Sequence, residues 1–251
     1  MDPNPIVKAL SVFLKHQVKA LLIGGQACIF YGAAEFSRDV DFAVFIDSEN
    51  LLRINSALAE LGAERVFVPD LSEEILKKGH ACHFRFPKND LRGTRIFILG
   101  KMRGVDDFSA VWGRRREIPV PGIGNIPVMG LSDLVQSKKT QRDKDWPMIR
   151  RLVEADFFNT TEPPSAEQVQ FWLLECRTPG LLITLRKKIK TQADNLLSLR
   201  PLLAQALPGQ EEGIRVLLKE EEEHERKLDK EYWAPLRQEL EKWRRERPNP
   251  T

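Results

Sequence analysis

The chain has few cysteines and no long apolar run. Its three cysteines, Cys28, Cys82 and Cys176, are far apart and odd in number, which favours free thiols in a reducing compartment over a disulfide framework. No apolar run approaches the roughly eighteen residues that a membrane helix needs. Residues 1–5 lack the basic stretch and apolar core of a signal peptide. We therefore expect a cytoplasmic protein without a membrane span.

A large excess of charge is also missing. The formal net charge is +3 at pH 7, which is too small to indicate nucleic-acid binding by itself. Apolar residues make up 42% and charged residues 30% of the 251 positions, which is typical of a globular protein. A chain of this length forms one large domain or two modest ones.

The most informative motif joins a glycine pair to two aspartates. Gly24 and Gly25 follow the apolar run 20–23, and Asp39 and Asp41 open another apolar run, 40–46. Residues i and i+2 of a strand point to the same face, so the two carboxylates project side by side. Such a pair repels itself unless a cation such as Mg²⁺ lies between the carboxylates. A glycine turn lets the backbone approach a phosphate. Together they predict a site for a metal-bound nucleoside triphosphate.

This pattern resembles the signature of the nucleotidyltransferase superfamily, which has the polymerase-beta-like fold. A second stretch, residues 128–139 followed by 142–145, is similar to a helix pair of the bacterial branch that includes abortive-infection-type toxins. The resemblance covers residues 1–155. It implies Mg²⁺ bound by Asp39 and Asp41, a nucleoside triphosphate held at Gly24 and Gly25, and transfer of a nucleoside monophosphate to an acceptor such as RNA or protein.

Two cations are further candidates for binding the nucleotide. Arg38 adjoins the acids and either meets the triphosphate or balances their charge. Lys138 either approaches the phosphates or lies on a solvated face of a helix that Ser132 caps. Lys144 and Asp145 are expected to form a capping and salt-bridge arrangement at the next helix.

The expected third carboxylate of the superfamily is missing from its strand. That acid acts on the attacking hydroxyl, and the matching strand here is 94–99, where the acid position reads Phe97. The nearest other acids are Asp90, before the strand, and Asp106 and Asp107, after it. The missing third carboxylate argues against catalytic turnover more than against nucleotide binding.

The chain pattern predicts an α/β fold with a small mixed sheet flanked by helices, followed by an all-helical C-terminal region. We expect a nucleotidyltransferase-like domain at residues 1–158 and a helical region at 165–247, joined by the polar, proline-containing segment 159–165. Helix is expected over residues 181–207 with an interruption at Pro201. Pro235 is expected to kink or divide the last helical region.

Three functions remain open from the sequence. The first is a nucleotidyltransferase enzyme. The second is a catalytically degenerate module that binds nucleotide or regulates, which Phe97 favours. The third is a member of a toxin–antitoxin pair whose C-terminal helices meet a partner protein or RNA, and it follows from the resemblance alone.

Overall fold

The computed structural model describes residues 4–66, 68–86 and 93–246. The strands of this part are β1 (Ala20–Ile23), β2 (Val40–Val44), β3 (Glu64–Arg65), β4 (Cys82–Arg85), β5 (Arg95–Leu99), β6 (Arg116–Val120) and β7 (Gly124–Val128). They form one seven-stranded sheet in the order β3-β4-β5-β2-β1-β7-β6. The sheet is mixed, since β2 runs parallel to β5 and β1 parallel to β7, while the other neighbours are antiparallel.

The helices that the structure describes are α1 (Pro5–Lys15), α2 (Gly24–Phe30), α3 (Ser48–Glu60), α4 (Glu73–Lys78), α5 (Phe108–Gly113), α6 (Leu131–Ser137), α7 (Asp145–Asn159), α8 (Ala166–Glu175), α9 (Pro179–Lys188), α10 (Lys190–Asn195) and α11 (Glu211–Glu246), with a 3-10 helix at Pro201–Gln205. No strand lies between residues 129 and 246. The predicted α/β fold with an all-helical C-terminal region is confirmed.

The chain forms two compact units, which are described separately. The first contains the described residues within 1–30, 34–137 and 232–251, and the second those within 31–33 and 138–231. The predicted boundary at 158–165 lies inside the second unit, and it stays a prediction as a domain boundary.

Local signals explain the helices of the first unit. The Asn4 side chain accepts a hydrogen bond from Ile6 N at 3.0 Å and begins α1, with Pro5 in its first turn. Asp47 caps α3 in the same way, accepting from Asn50 N at 2.6 Å. The apolar face of α1 is buried, and Phe13 stacks on Phe42 of β2 with ring centroids 4.2 Å apart. Helix α1 therefore packs on the face of the sheet that carries Phe42.

The second unit is helical and has its own core. Trp146, Ile149 and Leu152 of α7 are buried, as are Trp172 and Leu173 of α8. Helix is not continuous over residues 181–207, because α9 and α10 are separate and the 3-10 helix follows. Pro235 lies inside α11 without dividing it, although proline removes one backbone hydrogen bond.

The three cysteines are buried and form no disulfide. Burial raises the pKa of the Cys82 thiol to about 12, so this thiol is not reactive at neutral pH. Among the described residues, no helix combines the length and the apolar character needed to cross a bilayer.

Candidate functional site

The two acids of the motif lie on the open face of β2. Asp39 directly precedes the strand and Asp41 lies within it; both are half-buried, whereas Val40 and Phe42 are 0% and 3% exposed. The alternation of a strand explains this difference, because it sends the two apolar side chains into the core and the two carboxylates to the opposite face. The first unit therefore presents two neighbouring carboxylates on one accessible surface.

The glycine turn touches the second of these acids. Ile23, the last residue of β1, is the Cα partner of Asp41, and α2 begins at the next residue, Gly24. Gly24 has a φ of +68°, and a Cβ built on it would overlap the Asp41 carboxylate, lying 2.6 Å from its Cγ. Any side chain at Gly24 would therefore occupy the space of the Asp41 carboxylate. The first backbone N–H groups of α2, which have no partner within the helix, lie at the same place.

Hydrogen bonds connect the loop before β2 to the same turn. A Cβ at Gly25 would lie 2.8 Å from Ser37 Cβ. The Gln26 side chain donates to the Ser37 carbonyl at 2.9 Å, and the Ser37 hydroxyl donates to the Asp39 carbonyl at 3.3 Å. These bonds hold the backbone of Asp39 against α2. Gln26 and Ser37 are not among the sequence-predicted site residues, although polar residues close to a glycine pair and an acid are an available signal.

The strand register places Phe97 beside Asp41. The parallel pairing of β2 and β5 makes these two residues Cα partners, so their side chains share a face and lie about 5 Å apart at the backbone. Of the other candidate acids, Asp90 lies outside the described residues. Asp106 pairs with Arg114 at 2.9 Å, and Asp107 caps α5 by accepting from Ser109 N at 2.9 Å. Neither is available as a replacement in this arrangement.

A histidine adjoins the position where the acid is missing. His83 of β4 is the Cα partner of Phe97, and their ring centroids are 4.6 Å apart. Burial lowers the pKa of His83, and the positive charges of Arg95 and Arg244 lower it further, while Asp39 raises it. The neutral imidazole is therefore the favoured form at neutral pH. His83 is not among the sequence-predicted site residues, because its place beside Phe97 depends on the register between β4 and β5.

The donor set fits Mg²⁺ that arrives with a nucleotide. Within the described part of the chain, no three His, Cys, Asp or Glu side chains are grouped so that they could hold a metal ion. Mg²⁺ keeps several waters and commonly binds through one or two carboxylates plus substrate phosphates. Asp39 and Asp41 supply that number of carboxylates beside a turn where backbone N–H groups can meet phosphate oxygens.

The two candidate cations have different surroundings. Arg38 is exposed, with its guanidinium carbon 5.9 Å from the centroid of the Phe36 ring. Lys138 does not lie on a helix as expected: α6 ends at Ser137, whose hydroxyl donates to the Leu134 carbonyl. In the second unit, Lys138 Nζ lies 3.3 Å from Asp145 Oδ1. The nucleotide-binding roles of Arg38 and Lys138 stay predictions.

Asp145 is the centre of the ion-pair arrangement expected near residues 144–145. Its carboxylate also accepts from the Thr140 hydroxyl at 2.6 Å and from Arg142 Nε at 2.8 Å. The side chain is 3% exposed, so these donors stabilise a buried charge. Lys144 makes no side-chain capping bond to α7.

Comparison with solved structures gives several distant matches. One is a proposed nucleotidyltransferase from H. pylori, 16% identical, covering 90% of this chain and 94% of that chain at a TM-score of 0.42. JHP933 from Helicobacter pylori is 17% identical, with 92% and 94% covered and a TM-score of 0.38. The antibiotic-resistance factor ANT(2'')-Ia is 13% identical, with 76% and 92% covered and a TM-score of 0.37. No family model and no curated protein matches the chain.

Proposed function

We propose that this chain is a nucleotidyltransferase: it binds a magnesium-bound nucleoside triphosphate at Asp39, Asp41 and the Gly24–Gly25 turn and transfers the nucleoside monophosphate to an acceptor hydroxyl. The observation that carries the proposal is the fit of Gly24 against the Asp41 carboxylate, which a Cβ would overlap. Two acids alone are common on surfaces. A positive-φ glycine in contact with one of them brings the phosphate-binding backbone and the metal-binding carboxylates together.

Each of these residues has a separate role in the proposed reaction. Asp39 and Asp41 would hold the metal, which would stabilise the charge that builds on the phosphates. Backbone N–H groups of Gly24 and Gly25 bind phosphate oxygens. The acceptor oxygen forms a bond to the α-phosphorus while the bond to the bridging oxygen breaks, and pyrophosphate leaves. Phe97 cannot take the acceptor proton, which then passes to water.

A second candidate function is a nucleotide-binding or regulatory module without efficient turnover. The position of Phe97, the Cα partner of Asp41, favours it. A general base typically contributes about a hundred- to ten-thousandfold in rate, so its absence leaves binding intact and slows transfer. A cytoplasmic location, a role in a toxin–antitoxin pair and a protein partner for the C-terminal helices remain predictions.

A transfer assay separates the two functions. The chain is incubated with Mg²⁺, an NTP labelled at the α-phosphate and total cellular RNA or protein, and pyrophosphate release is followed in parallel. Asp41→Asn should lower release on the order of a hundredfold through lost charge stabilisation. The control is Asp70→Asn, which removes an exposed carboxylate that pairs with Arg65. Tight Mg–NTP binding without release would favour the module; release that Asp41→Asn leaves unchanged would refute the proposed site.

A further inference from the structure

The topology indicates from which side an acceptor approaches. Along the sheet the order is β4-β5-β2-β1, so the glycine turn after β1 lies on one side of the acids and β5 and β4 lie on the other. In phosphoryl transfer the attacking and leaving oxygens are roughly in line. If, as proposed above, the glycine turn holds the departing pyrophosphate, the attacking hydroxyl comes from the side of β5 and β4.

The open face of these two strands carries two arginines in direct opposition. Arg85 of β4 and Arg95 of β5 are Cα partners and both are exposed. They share the face of Asp41, because the next pair in the register, Phe84 and Ile96, is buried on the other side. Like charges directly opposite each other destabilise a sheet. An anion that binds between the two guanidinium groups would relieve this repulsion.

Protein carboxylates compensate these charges weakly. Arg85 Nη2 lies 3.6 Å from Glu64 Oε2, and both side chains are largely exposed, so water screens the pair. Within residues 4–66, 68–86 and 93–246, no salt bridge involves Arg95. Val40 of β2 pairs with Ile96 of β5, so continuing this parallel register one residue back places Arg95 next to Asp39. The positive charge therefore adjoins the metal-binding face.

An aromatic surface completes this part of the face. The rings of Phe97 and His83 are 4.6 Å apart at an interplanar angle of 60°, and both residues are half-buried. Burial and the charges of Arg95 and Arg244 lower the pKa of His83, which favours its neutral ring. Aromatic side chains next to cations are a common arrangement for nucleobases and their phosphates.

We propose that the β4–β5 face is the acceptor subsite and that the acceptor is a nucleotide unit, either free or at the end of an RNA strand. Its phosphate lies between Arg85 and Arg95, its base contacts Phe97 and His83, and its hydroxyl points to Asp39 and Asp41. A cationic amino-sugar acceptor would be repelled by the same arginines. This inference rests on the proposed function, because it takes the triphosphate to lie at the glycine turn.

The test uses the full chain and measures two affinities. Fluorescence anisotropy follows a fluorescein-labelled RNA tetramer with a free 3′-hydroxyl, in competition with adenosine 5′-monophosphate, adenosine or kanamycin. Calorimetry measures Mg²⁺ with a non-hydrolysable NTP analogue. The variants are Arg95→Gln and Arg85→Gln. The control is Arg116→Gln, which removes an exposed arginine of β6 at the other edge of the sheet.

The expected result is selective loss of acceptor binding. Charged hydrogen bonds of this kind are worth about ten- to a hundredfold in affinity, so Arg95→Gln and Arg85→Gln should each weaken RNA binding by that factor and make it less salt-dependent. Adenosine 5′-monophosphate should compete better than adenosine, and kanamycin should not compete. The NTP analogue should bind all variants within about twofold of the unmodified chain. Competition by the mononucleotide as strong as that by the tetramer would assign the free nucleotide, and weaker competition the strand end.

Several outcomes would overturn the proposal. Equal competition by adenosine and its monophosphate would show that no phosphate is recognised. A loss of NTP affinity in Arg95→Gln with RNA binding unchanged would assign the arginine to the triphosphate. If the unmodified chain binds phosphorylated probes but no Mg–NTP, the proposed function itself fails, and the arginines form an anion site that is not an acceptor subsite.

Discussion

Replacing Gly24 by alanine should damage both the stability of the first unit and the candidate site. The φ of +68° at Gly24 costs a residue with a Cβ about 1–2 kcal/mol. The new Cβ would also lie 2.6 Å from Asp41 Cγ and 2.9 Å from Asp41 Cβ, and overpacking of this kind typically costs about 1–3 kcal/mol. We therefore expect Gly24→Ala to lower the free energy of unfolding by about 2–5 kcal/mol.

A matched glycine separates the two costs. Gly122, in the turn between β6 and β7, has a φ of +77° and no atom within 4 Å of a built Cβ. Gly122→Ala should therefore show the backbone cost alone, about 1–2 kcal/mol, and leave nucleotide binding unchanged. The difference between the two variants measures the collision with Asp41. Combining Gly24→Ala with Asp41→Ala should recover part of that difference, because the colliding carboxylate is removed.

Urea unfolding and calorimetry with Mg–NTP provide the two readouts. Gly24→Ala should unfold at lower urea than Gly122→Ala and lose nucleotide affinity, because Asp41 must move from its position beside the turn. The reasoning would be refuted if Gly24→Ala unfolded at the same urea concentration as Gly122→Ala and bound Mg–NTP as the unmodified chain does.

Three further predictions concern neighbouring residues. Gly25→Val should abolish Mg–NTP binding in calorimetry, because its side chain meets Ser37 and fills the phosphate approach; undiminished affinity in a folded variant would make the turn purely structural. Phe97→Asp should raise the rate of pyrophosphate release by about a hundredfold or more if the new carboxylate acts as the base. Rapid release by the unmodified chain that Phe97→Asp does not increase would contradict the assignment of Phe97 to the missing acid position. His83 has a lowered folded pKa, so its contribution to stability is present above its ordinary value of 6.5 and is lost as pH falls through the folded pKa. Acidification from about pH 7 to about pH 5 should thus lower the unfolding free energy less in His83→Gln than in the unmodified chain, and equal slopes would argue against this pKa shift.

The centre of the candidate site was predictable because its signals are local. An apolar run, a glycine pair and two acids at i and i+2 are read along a short stretch of chain, and alternation fixes which face the acids take. The structure has Asp39 and Asp41 on the open face of β2 and Gly24 at the start of α2. Exposed and buried positions of a strand follow directly from the sequence pattern.

The pairing of distant strands was not predictable from composition or periodicity. The place of Phe97 near the two aspartates was expected only from the family resemblance, and the residues of β4 and β5 alone do not show that Phe97 lies opposite Asp41 or that His83 lies opposite Phe97. Register depends on packing and turn geometry, which act between segments far apart in sequence. The opposition of Arg85 and Arg95, and with it the proposed acceptor subsite, became visible only from that register.

The end of α11 gives the clearest example of a contact that the sequence hides. Its apolar spacing predicts a helix but not what covers it. In the structure, residues from Tyr232 onward belong to the first unit, where His80 Nε2 lies 2.7 Å from Glu239 and the His80 ring lies 4.8 Å from that of Trp243. His80 is 1% exposed, so its burial depends on a helix 159 positions later in the chain.

Calorimetric titration of Mg–NTP into the unmodified chain and into the Asp39→Ala, Asp41→Ala double variant determines whether the two aspartates form the nucleotide site. We expect saturable, Mg²⁺-dependent binding that the double variant loses, while its unfolding transition is maintained because removing two like charges relieves repulsion. Equal NTP affinity in the two proteins, or binding that does not depend on Mg²⁺, would contradict the account.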